Sequence, residues 1–149
     1  MNREYLNIIV ADHNEGNLVY FKEIFRDLKI ATNVQVFNNG NELIEYLTND
    51  KNIIPEVVFM NYDLKGKHSL DCLEQLKCRR RFGNMVNVVY SDNLSEDKIE
   101  DIFVTGANIF IKKPDEYTAL KKVLTEVITV NWQYYTSGLN KDNFILKMS

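Results

Sequence analysis

Two hydrophobic periods alternate along the chain, and the alternation repeats five times. Short continuous apolar runs stand at Leu6–Ala11, Val34–Phe37, Val57–Met60, Val86–Tyr90 and Ile109–Ile111. Runs of this length, bounded by turn residues, read as strands buried on both faces. The stretches between them change to helical spacing. Leu18, Phe21, Phe25 and Leu28 follow 3-4-3 steps, and Leu43, Ile44 and Leu47 follow an opening Asn41-Glu42. Leu70, Leu73 and Leu76 mark a third apolar face, Ile99, Ile102 and Phe103 a fourth, and Leu120, Val123, Leu124 and Val127 a fifth. Ser95 before Glu96 and Asp97 supplies an N-cap with acids in the first turn, and Gly106 falls where a helix end favours glycine. Five βα units predict an α/β fold: a five-stranded parallel sheet with helices on both faces and right-handed crossovers.

Length and composition narrow the function classes. At 149 residues the chain reads as one domain with a real core, and its 45% hydrophobic and 26% charged residues are ordinary globular usage. A net charge of −3 leaves no electrostatic footprint for nucleic acid. The one basic cluster, Arg79-Arg80-Arg81, reads as the cationic close of a helix rather than a binding patch. The first fifteen residues hold only a short apolar run before an acid, so no signal peptide is expected, and no run reaches membrane-spanning length. Cys72 and Cys78 lack metal-type spacing and read as reduced thiols on one helix, so a cytoplasmic location is expected. The domain is expected to end at residue 133. Residues 134–149 form an extension in which Phe144-Ile145-Leu146 is an apolar patch for docking on the same domain or on a partner.

In an open parallel sheet, ligands bind beyond the carboxyl ends of the strands, near the point where strand order reverses. Asp12, His13, Asn14 and Glu15 follow the first run, Asn38-Asn39-Gly40 the second, and Asn61, Tyr62 and Asp63 the third. Ser91-Asp92 follows the fourth, and Lys112-Lys113-Pro114 the fifth. Any one of these is more often a helix cap or a solubilising strand end: Asp12 or Asn14 suits the first helix, and Ser91 the fourth. As a set they describe a pocket for a small anion with room for a cation. The residue that decides its chemistry is Asn61, a neutral amide where the third strand ends, with a carboxylate two residues on at Asp63.

Four ordered motifs then carry a resemblance over nearly the whole chain to about Trp132. IIVADHNEGN, PEVVFMNYDLKG, VVYSDN and GANIFIKKP together resemble the CheY-like receiver domain of bacterial response regulators. The resemblance implies a flavodoxin-like sheet of order 2-1-3-4-5 with the first and last helices on one face. It also implies Mg²⁺ held by an acidic pair and a phosphoacceptor aspartate, with a hydroxyl and a lysine on the phosphate and a switch aromatic. By position, Asp12 matches the first acid, His13 replaces the second, and Asn61 occupies the phosphoacceptor position. Ser91, Phe110 and Lys113 keep the hydroxyl, aromatic and lysine, and Pro114 is expected after a cis bond. Lys65 stands where the family has proline, and His68-Ser69 where it has Asp-Gly.

These departures have physical consequences. A carboxylate has the anionic oxygen that attacks phosphorus, whereas an amide oxygen is neutral and weakly basic. Asn61 is therefore not expected to be phosphorylated. Mg²⁺ prefers carboxylate and water oxygens, so Asp12 and His13, with Asp63 as a compensating acid, make a weakened metal pocket at best. Lys113 is expected to pair with Asp12. The leading reading is a stand-alone receiver-like module of a phosphorelay, no enzyme, acting through contacts with a histidine kinase or a downstream protein. No membrane or nucleic acid is expected as a partner. A homodimer on the fourth helix, fifth strand and fifth helix is expected as well. The alternatives are a competent Mg²⁺-dependent receiver that uses Asp63 or another acid, and an unrelated small α/β binding protein.

Overall fold

The computed structural model describes residues 5–137 and 146–148, with side chains described as far as Trp132. In chain order the elements are β1 (Leu6–Ala11), α1 (Glu15–Arg26), β2 (Thr32–Phe37), α2 (Gly40–Leu47), β3 (Val57–Asn61) and α3 (Ser69–Lys77). There follow a 3₁₀ turn (Arg80–Phe82), β4 (Val86–Ser91), α4 (Glu96–Thr105), β5 (Ile109–Lys112), α5 (Tyr117–Ser137) and β6 (Leu146–Met148). Every pairing is parallel, and the order is β2-β1-β3-β4-β5-β6. The expected five-stranded order is present, so strand order reverses between β1 and β3.

The sixth strand corrects the expected count. Leu146 to Met148 pair with Ile109 to Ile111 along the outer edge of β5. An open edge is a row of unpaired donors and acceptors, and a short strand that follows a helix satisfies it. The β5 edge of the expected dimer surface is thus covered by the chain itself. Phe144 and Ile145 lie outside the described residues, and α5 crosses the expected boundary at residue 133.

Alternation along the strands divides the core in two. Val10, Phe59 and Val88 face α1 and α5, packing on Leu18, Phe21, Phe25, Leu120 and Leu124. Ile9, Val58, Val89 and Phe110 face α2, α3 and α4. The first and last helices therefore share a face, as expected. The first four α-helices start where a side chain takes up a free N–H group. Asn14 caps α1, Asn39 caps α2, whose first residue Gly40 is one earlier than the Asn41-Glu42 start, and Ser95 caps α4. The arginine cluster lies beyond α3 rather than closing it. Arg81 bonds Asp50 and lies over the Phe82 ring, 5.4 Å from its centroid, so its neighbours hold it at the opposite end from the strand tips.

Cys72 and Cys78 are free, the first buried on α3 and the second exposed at its end. Burial pushes the Cys72 thiol up to about 11, with Asp71 adding to the rise and Lys67 opposing it. At pH 8 about one Cys72 in a thousand would then be thiolate, the reactive form. An aromatic disulfide reagent should modify one thiol per native chain, Cys78, and reach the second only after denaturation. Two thiols reacting at similar rates in the native protein would contradict the packing of α3.

Candidate functional site

β1, β3 and β4 end side by side, and period-2 alternation fixes what stands there. Val10, Phe59 and Val88 lie on one face, so the residues two positions on, Asp12, Asn61 and Tyr90, continue that face as a transverse row. Asp12 is fully buried. A buried carboxylate is costly unless its lone pairs are taken up, and here four donors take them up. Its Oδ1 accepts from the Asn14 N–H at 2.9 Å. Its Oδ2 accepts from the Tyr90 hydroxyl at 2.7 Å, the Asn17 amide at 2.8 Å and the Asn61 amide at 3.2 Å.

Tyr90 is the residue that sequence reasoning missed, because it reads as one more apolar member of β4. Its ring is wholly buried beside Phe21 of α1, with centroids 5.0 Å apart. Burial foremost, and then the Asp12 carboxylate, hold the phenol well above its ordinary range. The group stays a neutral donor, the form that Asp12 requires. Asn17 was missed as well: in the first turn of α1, it points back at the Asp12 carboxylate.

Asn61 is engaged at both ends. Its Nδ2 donates to Asp12, and its Oδ1 accepts the Asp63 N–H at 2.8 Å. An aspartate could make the second of these bonds but not the first. The loop beyond is tied down without the proline and Asp-Gly of the family pattern. Ser69 donates to the Tyr62 carbonyl at 2.7 Å, and the Gly40 N–H to the Lys65 carbonyl at 2.8 Å. Gly66 supplies a positive φ of 69°, and a Cβ on Gly40 would stand 2.0 Å from the Lys67 carbonyl oxygen. His68 is half-buried. Its Nδ1 caps α3 by accepting the Leu70 N–H, and its ring meets Tyr62 edge-on.

The remaining candidates do not all converge. His13, Asn61, Asp63 and Ser91 line one open cleft of about 310 Å³, together with Asn14, Asn17, Asp92 and Asn93. The exposed His13 ring stands 3.8 Å from Asp12 Oδ1. Phe110 is buried on the α4 face. Lys113 corrects the expected ion pair: its Nζ meets the Pro114 carbonyl at 3.5 Å and does not reach Asp12. Four donors already crowd the Asp12 oxygens, three of them on Oδ2, where the ammonium was expected. The Lys113–Pro114 peptide is trans, against the expected cis bond. Trans is the favoured isomer of X-Pro bonds by about 0.5–1 kcal/mol. The Lys113 N–H already bonds the Ser91 carbonyl, which seats the residue at the sheet end without it.

The Mg²⁺ that the motif resemblance implies does not fit this donor set. Oδ2 of Asp12 carries three N–H or O–H donors, which would have to be displaced before a cation could coordinate it. His13 offers imidazole, a poor Mg²⁺ ligand, and Asn61 presents its N–H side to the carboxylate. Among the described residues, no three His, Cys, Asp or Glu side chains converge in a metal-holding group.

Comparison with known proteins agrees with the motifs. The family model for the response regulator receiver domain matches residues 8–125. Among solved structures, the phosphorylated cyanobacterial phytochrome response regulator RcpA is similar with a TM-score of 0.77 and 18% identity, over 91% of this chain and 97% of that one. The Mn²⁺-bound form of response regulator Rcp1 is similar at 0.76 and 14%, over 83% and 92%. The Mg²⁺-bound receiver domain of the sensor histidine kinase PA1611 from Pseudomonas aeruginosa PAO1 gives 0.67 and 14%, over 84% and 98%. At these identities the likeness is one of fold. No curated protein sequence matches the chain.

The row makes a test of Asn61 direct. Asn61→Asp would place a second carboxylate at the 3.2 Å contact with Asp12. Two like charges there raise the pKa of the pair, so the folded state binds more protons than the unfolded state, and stability rises as pH falls. Urea unfolding should show a loss of about 1–3 kcal/mol relative to the parent at pH 7.5, narrowing towards pH 5. A variant as stable as the parent at pH 7.5 would refute this reading of the row.

Proposed function

Because the chain belongs to the response regulator receiver domain family, we propose that it is a two-component signalling module that takes no phosphoryl group at Asn61 and works through protein–protein contacts. One observation carries this reading. The side chain at the acceptor position is an amide, and both its polar atoms are already engaged, with Asp12 and with the Asp63 backbone. It has no anionic oxygen to attack phosphorus, and its orientation turns N–H, not oxygen, towards the acid. Receivers work with histidine kinases and other signalling proteins. A protein of the same class is the partner proposed here, recognising a surface whose conformation does not wait on phosphorylation. No helix among the described residues is long and apolar enough to cross a membrane.

A second reading is supported by Asp63, which is exposed and lines the cleft. It would serve as an alternative acceptor. Against it stands the charge at the cleft. Phosphoryl transfer depends mainly on positioning and on neutralising the developing negative charge. The lysine that the family uses for this, Lys113, here lies on the Pro114 carbonyl.

Incubation with radiolabelled acetyl phosphate separates these readings. The parent protein is expected to incorporate no label with or without Mg²⁺. Asn61→Asp should gain little, because His13 still stands where the second acid belongs. His13→Asp combined with Asn61→Asp should accept phosphate at least about tenfold faster than either single variant. Mg²⁺-dependent labelling of the parent that Asp63→Asn abolishes would establish Asp63 as the acceptor and overturn the proposal. Equal rates for Asn61→Asp alone and in the combination would show that His13 plays no part.

A further inference from the structure

The four donors on Asp12 do more than leave an acceptor missing. In a site with a bound cation, a buried carboxylate has its charge balanced by the ion, and its oxygen lone pairs point at it. Here Asp12 is fully buried, and His13, at 3.8 Å and exposed, is the basic side chain beside it. Its lone pairs are instead used by neutral groups converging from three elements: Asn17 from α1, Asn61 from β3 and Tyr90 from β4. Of these, the phenol makes the shortest bond. It comes from inside the core, where Phe21 backs the ring and leaves it no other polar partner among the described residues.

We propose that the Tyr90 hydroxyl, with the Asn17 and Asn61 amides, is a built-in substitute for a divalent cation, so that Asp12 is a structural anion and the pocket is metal-independent. This extends the proposed function from the acceptor to the ion, and it rests on the same placement of Asn61. It also bears on repair. Restoring a carboxylate at residue 61 leaves Oδ2 of Asp12 still holding the Tyr90 hydroxyl, so removing that hydroxyl should add to whatever cation affinity the new carboxylate brings. Tyr90 acts here as a positioning residue. It holds the carboxylate that a cation would otherwise hold.

Mn²⁺ is the probe, read by the shift in thermal midpoint and by titration calorimetry on the full chain. The parent should show no midpoint shift up to millimolar Mn²⁺. Asn61→Asp should bind weakly. Adding Tyr90→Phe, which keeps the ring against Phe21, should tighten Mn²⁺ binding about 10- to 100-fold, the factor associated with removing one hydrogen bond to a charged group. Val88→Ala in the Asn61→Asp background is the control. It lowers stability from the same face of β4 and should leave Mn²⁺ affinity unchanged. Equal affinity with and without Tyr90→Phe would overturn the proposal, as would a parent protein that Mn²⁺ stabilises. If the double variant does not fold, Asn17→Ala in the Asn61→Asp background removes another Oδ2 donor: tightening of several-fold supports the substitution, and no change refutes it. Phosphate labelling reads the acceptor and Mn²⁺ binding reads the clamp, so the two claims can fail separately.

Discussion

A carboxylate buried from bulk solvent is the constraint on which the end of this sheet is built. Moving an anion from water into a protein interior costs several kcal/mol unless its oxygens are hydrogen-bonded. Asp12 meets that requirement with one backbone N–H, two side-chain amides and one phenol. The donors come from the start of α1, which supplies two, and from the ends of β3 and β4. The carboxylate therefore ties together the start of α1 and the ends of β1, β3 and β4 in a way that apolar contact alone would not specify. Remove any one donor and the anion is left partly unsatisfied, which costs about 1–3 kcal/mol.

The rest of the site follows from keeping those donors in place. Asn61 can donate to Asp12 only because its oxygen is occupied by the Asp63 N–H, which fixes the orientation of the amide. The loop that carries Asp63 is held by Gly40, Gly66, Ser69 and His68 rather than by the proline and glycine of the family pattern. Tyr90 can donate only because Phe21 and Phe59, in edge and tilted contacts, hold that side of the core as a block of rings. Lys113 is left to its own neighbourhood at the end of β5.

Much of this was legible from residue order, and the part that was not has a physical reason. Continuous apolar strands such as Leu6–Ala11 and 3-4-spaced helices such as Leu18 to Leu28 announce themselves because burial imposes their period, whereas the order of the first five strands came from the motif resemblance. β6 was not legible. Three residues carry no period, and what places them is the open edge of β5, a property of the assembled sheet. Asn61 stood out because a polar residue ends an apolar run. Tyr90 did not, since a tyrosine within VNVVYS passes for core until register sets it beside Asn61 and across from Asp12. Counting two residues on from Val88 and from Val10 would have found it. The Lys113–Asp12 pair failed for the same cause: charge alone favoured it, and only the register reveals that neutral donors arrive first.

Whether neutral donors or a cation hold Asp12 can be read from a crystal structure grown in tens of millimolar Mn²⁺. The Tyr90 hydroxyl should remain within hydrogen-bond distance of Asp12 Oδ2, with the Asn61 amide beside it and no anomalous metal peak in the cleft. A Mn²⁺ ion coordinated by Asp12 Oδ2, with the Tyr90 hydroxyl displaced from it, would show that the hydrogen bonds do not stand in for the metal.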